Sequence, residues 1–165
     1  MSRPRRDRPD MPPGYGADQA DRFVEWETIE SRLRDSLHYW LATARPDGRP
    51  HVVPRWGVWL DGRFWYDGSP ETLHVRNLEN NPECALHLES GAEVTVIEGQ
   101  STRSDPISGE LGERLAAEYA RKYAPDYTPA PGAWSGDLAG GMRTLRPVKA
   151  LAWSQFPADL TRYTF

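Results

Sequence analysis

Residues 39–100 read YWLATARPDGRPHVVPRWGVWLDGRFWYDGSPETLHVRNLENNPECALHLESGAEVTVIEGQ, and this stretch decides the fold. It opens with three extended runs joined by Pro46-Asp47-Gly48 and Asp61-Gly62. Pro presets φ at a turn and Gly accepts positive φ, so the first is a mechanistic turn signal. Asp-Gly between alternating runs is the strongest short-range hairpin signal. A short helix follows and ends at Asn80-Asn81-Pro82, because the residue before Pro is pushed out of the helical region. Two more extended runs then turn at Ser90-Gly91. Strand, hairpin, helix and hairpin in this order predict a mainly β fold with flanking helices. The expected architecture is a closed or nearly closed antiparallel sheet of six to seven strands.

Within the stretch, residues 50–60 read as one long strand. Alternation puts Val53, Arg55, Gly57 and Trp59 on one face, and Val52, Pro54, Trp56 and Val58 on the other. Pro54 donates no ladder hydrogen bond, which predicts an edge or a bulge there. Ser69 is a good helix N-cap and Pro70 suits the first helical position. Free N–H groups at such a start suit a phosphate. A plain cap is the competing reading, and the Glu71 carboxylate competes for the same field.

Outward from this stretch, the 165-residue chain fits one domain, expected over residues 18–165. Residues 1–17, rich in Pro, Arg, Asp and Gly, are expected to form a disordered tail. Phe23, Trp26, Ile29, Leu33 and Leu37 recur at three- and four-residue steps and predict a helix over residues 19–37, with Trp26 in the core. A second long helix is expected from Pro106 or Ser108 to about Tyr123, with Glu110–Arg114 and Glu118–Lys122 as surface pairs. Residues 124–141 form a long Gly/Pro loop, read as a lid or a dimer arm. Residues 142–156 read as one bent strand, and the aromatic C-terminus is expected to dock.

The net charge of −4 argues against a nucleic-acid surface. No apolar run reaches the ~20 residues a spanning helix needs, and the start lacks a signal-peptide core. Cys84 is alone, so the expected setting is a reducing cytoplasm without membrane partners. His38, His51, His74 and His87 lack close ligand spacing, so no metal site is expected. No nucleophile elbow, Gly-rich phosphate loop or HExxH motif is present, so no catalytic residue is assigned. In an enzyme of this kind the cofactor supplies the chemistry and the protein supplies binding and orientation.

Taken together, YWLATARPDGRPHVVPRW, GSPETLHVRNLENNP, HLESGAEVTVIEG and the closing AWSQFPADLTRYTF resemble the pyridoxamine 5′-phosphate oxidase-like flavin and deazaflavin oxidoreductases. The closing segment is most similar to the actinobacterial deazaflavin branch. The resemblance implies a split β-barrel (the FMN-binding split barrel) and a homodimer with cofactor sites at the subunit interface. It implies hydride transfer between a deazaflavin coenzyme (factor 420) and a small planar conjugated substrate. Flavin mononucleotide (FMN) is the alternative cofactor, and a non-catalytic carrier of haem, bilin or another planar ligand is the alternative function. The implied cofactor-binding positions are Val53, Pro54, Arg55 and Trp56 beside the ring, then Asp67, Gly68, Thr72, Leu73, His74 and Asn77 toward the phosphate. His74 stands where the family usually carries a basic residue, and Arg55 is the expected compensating charge.

Overall fold

The computed structural model describes residues 4–136 and 142–165. Its elements are β1 (Arg5–Asp7), α1 (Trp26–Asp35), β2 (Tyr39–Ala44), β3 (Pro50–Arg55), β4 (Val58–Leu60), β5 (Arg63–Tyr66), α2 (Leu73–Asn80), β6 (Glu83–His87), β7 (Val94–Arg103), α3 (Gly109–Tyr123), β8 (Arg143–Trp153) and β9 (Thr161–Thr164). The strands form one antiparallel sheet in the order β1-β9-β8-β7-β6-β2-β3. β5 also pairs with β8, and β4 pairs with β5.

β8 is where the sheet splits. Its first residues pair with β5, as Phe64 with Leu145, while its last pair with β9, as Ala150 with Tyr163. Between them lies Pro147, opposite Gly99, where the β7–β8 register shifts. Pro removes a ladder donor, and a bulge bends the strand. Gly99 is required there, because a Cβ would fall 2.2 Å from the Arg146 carbonyl oxygen.

The nine strands among the described residues exceed the expected six to seven for two reasons. The run over residues 50–60 is two strands, broken at Trp56-Gly57. The break brings Gly57 so close to β5 that a Cβ would sit 2.5 Å from the Phe64 ring. Second, the disordered tail expected over residues 1–17 does not hold for its described part. Arg5–Asp7 pairs with β9, Arg162 Nε donates to the Asp7 carboxylate at 2.7 Å, and Arg6 pairs with Glu25. The composition argument counted apolar surface and missed the open edge of β9 that the arm completes.

The helix expected over residues 19–37 is shorter, Trp26–Asp35, with Glu25 at the N-cap position. Ile29 and Leu33 are its buried residues. Phe23 lies outside it under the guanidiniums of Arg6 and Arg8, and Leu37 is exposed. Trp26 is half-buried rather than a core residue, packed edge-on against Trp59, Tyr163 and Phe165.

The core has two parts. One fills the barrel with Tyr39, Leu41, Phe64, Tyr66, Leu86, Ile97 and Leu145. The other lies under α3 and joins Val58, Trp65, Leu115, Tyr119, Tyr123 and Trp134. Trp134 pins the described part of the 124–141 loop, and its carbonyl accepts from Ile107 N–H at 2.8 Å. Residues 137–141 of that loop lie outside the described residues. β3 ends the sheet order, as Pro54 predicts.

Candidate functional site

β3 is half-buried on the face that carries His51, Val53 and Arg55, and exposed at Pro50, Val52 and Pro54. Arg55 therefore points inward from the last position of the strand. Its Nη2 donates to the Asp67 carbonyl at the end of β5, and its Nε is buried without a partner. Asp67 is held from the other side, since its carboxylate accepts from the Tyr127 hydroxyl. Gly68 comes next. A Cβ built there would lie 3.2 Å from Arg55 Nη2 and 3.3 Å from His74 Nε2. Gly68 thus sits where guanidinium and imidazole converge, and a side chain there would crowd both.

The helix after this loop starts later than Ser69-Pro70 suggests. The Ser69 carbonyl accepts from both the N–H (3.1 Å) and the hydroxyl (2.8 Å) of Thr72, so residues 69–72 form a tight turn. Pro70 has the same fixed φ at the second position of a turn as at a helix start, which is why the sequence allowed both. Thr72 is the N-cap, but its side chain makes no capping bond. The first N–H groups of α2 remain free of side-chain caps, directly beside His74.

His74 differs from the expected partly charged residue. It is 3% exposed, and its pKa is lowered to about 4. Burial is the main cause, followed by the positive charge of Arg55, then His51 and Arg143. The ring is neutral at physiological pH. It lies 6.4 Å from the Tyr66 ring, and Thr72 Oγ1 is 3.5 Å from its Nε2. The fixed charge of the cradle is Arg55, whose guanidinium carbon stands 5.9 Å from the centre of the Tyr66 ring.

The structure thus brings Arg55, Asp67, Gly68, Thr72 and His74 together and separates the other expected positions. Pro54 is exposed at the sheet edge, while Trp56 turns away to stack on Tyr123 of α3, with ring centres 4.8 Å apart. Val53 and Leu73 are half-buried. Asn77 is buried, and its Nδ2 donates to the Thr43 hydroxyl at 3.0 Å, tying α2 to β2. Its side chain is committed to the fold.

Three residues outside the expected cofactor positions border the same place. Tyr66 forms its wall, and its hydroxyl lies 2.6 Å from Ser101 Oγ. Arg143, 3% exposed, pairs with Glu79 and adds positive potential at His74. Tyr127 connects the long loop to Asp67. Nothing in the pattern around Arg143 marks it, because a charged residue opening a strand normally signals solvent. Among the described residues, no group of three or more His, Cys, Asp or Glu is placed to hold a metal ion. Among them, too, no helix is long and apolar enough to cross a membrane.

The fold is a mainly β antiparallel split barrel in which Arg55, Gly68 and His74 gather between a strand end and a helix start. The pyridoxamine 5′-phosphate oxidase family model matches residues 26–139, and the chain belongs to that family. Solved structures agree on the fold. An F420 reductase is 24% identical, with 76% of this chain and 96% of that one covered, at a TM-score of 0.56. A haem-binding protein from Mycobacterium smegmatis is 16% identical, covering 86% of this chain and 59% of that one, at a TM-score of 0.63. The haem storage protein HutZ from Vibrio cholerae is 18% identical, covering 73% and 86%, at a TM-score of 0.54. No curated protein matches the chain in sequence.

Proposed function

We propose that this protein is an oxidoreductase that binds a deazaflavin coenzyme (factor 420) and transfers hydride between it and a small planar conjugated substrate. The observation that carries the reading is the buried, unpartnered Nε of Arg55, whose Nη2 lies with His74 Nε2 against the Gly68 backbone. A buried polar atom without a partner is costly, and an anionic group in the cradle would satisfy it. The residues fit a phosphate held by one guanidinium, the Thr72 hydroxyl and the first N–H groups of α2. Arg55, Thr72 and the Gly68 backbone would hold that group. When bound, the deazaflavin supplies hydride chemistry, whereas FMN, the alternative, also supports one-electron steps. The protein's own part is to fix the anion, keep His74 neutral and exclude water with the Tyr127-tethered loop, read here as a lid.

The site is proposed to be completed by a second copy of the chain. β3 is an open sheet edge, and Val52 (46% exposed) and Trp56 (40% exposed) stand on or just beyond it. Paired large apolar groups on an open edge suit an interface. A cytoplasmic location belongs to the same reading. The haem-carrier alternative takes its motive from the haem-binding neighbours. It gains nothing from His74, whose ring is enclosed between Tyr66 and Arg55 rather than presented to a ligand.

Mixing the protein with reduced deazaflavin and a panel of quinone-like acceptors tests the reading. Acceptor-dependent oxidation of the coenzyme that is lost in Arg55→Ala is expected. Tight haem binding with no turnover on any acceptor would replace this reading with the carrier.

A further inference from the structure

We propose a second anion site on the opposite face of β5, a cleft that takes a small phosphomonoester. Along β5 the side chains alternate. Phe64 and Tyr66 enter the barrel core, whereas Trp65 belongs to the cluster under α3. Arg63 shares the Trp65 face. On that face a cleft of about 440 Å³ opens between the β5–β8–β7 surface and the start of α3. Its volume falls within the range of small-molecule sites, roughly 300–1,000 Å³.

Its lining has the chemistry of an anion receptor. Arg63 and Arg103 both face it, from β5 and from the end of β7. Neither makes an ion pair or a side-chain hydrogen bond among the described residues. Two unpaired guanidiniums in one cleft repel each other, and a shared anion removes that cost. Thr144 lines the same cleft at 8% exposure, and its buried Oγ1 has no hydrogen-bond partner. Ser108, the N-cap of α3, also lines it and makes no side-chain cap bond. The first N–H groups of this 15-residue helix are therefore uncapped at the cleft.

Two carboxylates oppose this field, Asp105 in the lining and Glu110 in the first turn of α3. Their repulsion grows with a ligand's charge just as the attraction of the guanidiniums does, so shape decides between anions. The three oxygens of a phosphomonoester can engage two planar guanidiniums at once, which the two oxygens of a lone carboxylate do less well. The Trp65 side of the cleft supplies an apolar wall for the organic part. This site is independent of the Arg55 cradle, which lies on the Tyr66 side of the strand.

The test is an NMR titration of the full-length protein with phenyl phosphate, with phenol as the uncharged control, following the Trp65 indole signal. The Trp65 side chain lines the cleft, and its N–H donates to the Leu60 carbonyl at 3.1 Å. The signal is expected to shift saturably with phenyl phosphate and not with phenol, and inorganic phosphate should compete. Arg63→Gln and Arg103→Gln should each weaken binding about tenfold, the loss expected for one charge-assisted hydrogen bond. Arg55→Ala should leave the Trp65 response intact. Since neither cleft arginine has a side-chain partner among the described residues, both variants should keep the parent melting temperature. No saturable shift up to about 10 mM overturns the proposal. So does unchanged affinity in both glutamine variants, or a response lost only in Arg55→Ala.

Discussion

Arg55 and His74 converge on Gly68: a Cβ there would stand 3.2 Å from the guanidinium Nη2 and 3.3 Å from the imidazole Nε2. Both distances are slightly tight, and the atoms met are side-chain ends, so Gly68→Ala should fold normally. The added methyl occupies the space that the anionic group of a cofactor would need. Cofactor affinity is expected to fall about tenfold or more, with the melting temperature within a few degrees of the parent. Calorimetric titration beside a thermal scan checks this. Unchanged affinity would move the anion away from Gly68.

His74 gives the protein a pH signature. Its folded pKa, about 4, lies below the ordinary 6.5. Between these values the unfolded chain binds more protons than the folded one, so stability rises with pH across the window. Acidification from about pH 6.5 to 4 should therefore lower the denaturation midpoint, and His74→Gln should flatten part of that slope. Urea titrations at stepped pH measure it, and an identical slope in the variant would contradict the assignment.

Lys122 provides a second slope at higher pH. Its amine lies inside, donating to the Tyr39 hydroxyl at 2.7 Å and the Gly57 carbonyl at 2.8 Å. Burial, then the charge of Arg121, lowers its pKa from 10.5 to about 7. A lysine depressed on folding makes stability rise with pH between those two values. Lys122→Met should abolish that rise while remaining folded, because Tyr123 OH still reaches the Gly57 carbonyl at 2.9 Å. A rise that survives the substitution would show that another group carries it.

Asn77 separates packing from binding. Replacing it by Ala leaves the Thr43 hydroxyl without its buried donor and is expected to cost about 1–3 kcal/mol. Deazaflavin affinity of the folded variant should stay within about twofold. A large loss of affinity at unchanged stability would return Asn77 to the cofactor.

Much of this arrangement was legible in the sequence because local chemistry forced it. Asp61 and Gly62 both take positive φ, 52° and 70°, as an Asp-Gly hairpin requires. Pro54 pointed to an edge or a bulge because a missing donor is tolerated there, and β3 lies at the edge. What escaped the reading depends on distant groups. Alternation continues smoothly across residues 50–60, yet the chain breaks at Gly57 because β5 presses on it. Glu118–Lys122 has ideal pair spacing, but position 122 borders the buried stripe of Tyr119 and Tyr123, so the amine turns inward and Glu118 takes Arg121. Arg55, Thr72 and His74, which the family resemblance places near one another, do lie together. Tyr66, Tyr127 and Arg143 join them only through tertiary packing.

The most direct test of the central claim is equilibrium titration of the purified protein with the deazaflavin coenzyme and, separately, with FMN, following tryptophan fluorescence. Saturable quenching by the deazaflavin at micromolar concentration, with weaker response to FMN and loss of both in Arg55→Ala, is the predicted result. Quenching by neither coenzyme at tens of micromolar, or equal binding by Arg55→Ala, would contradict it.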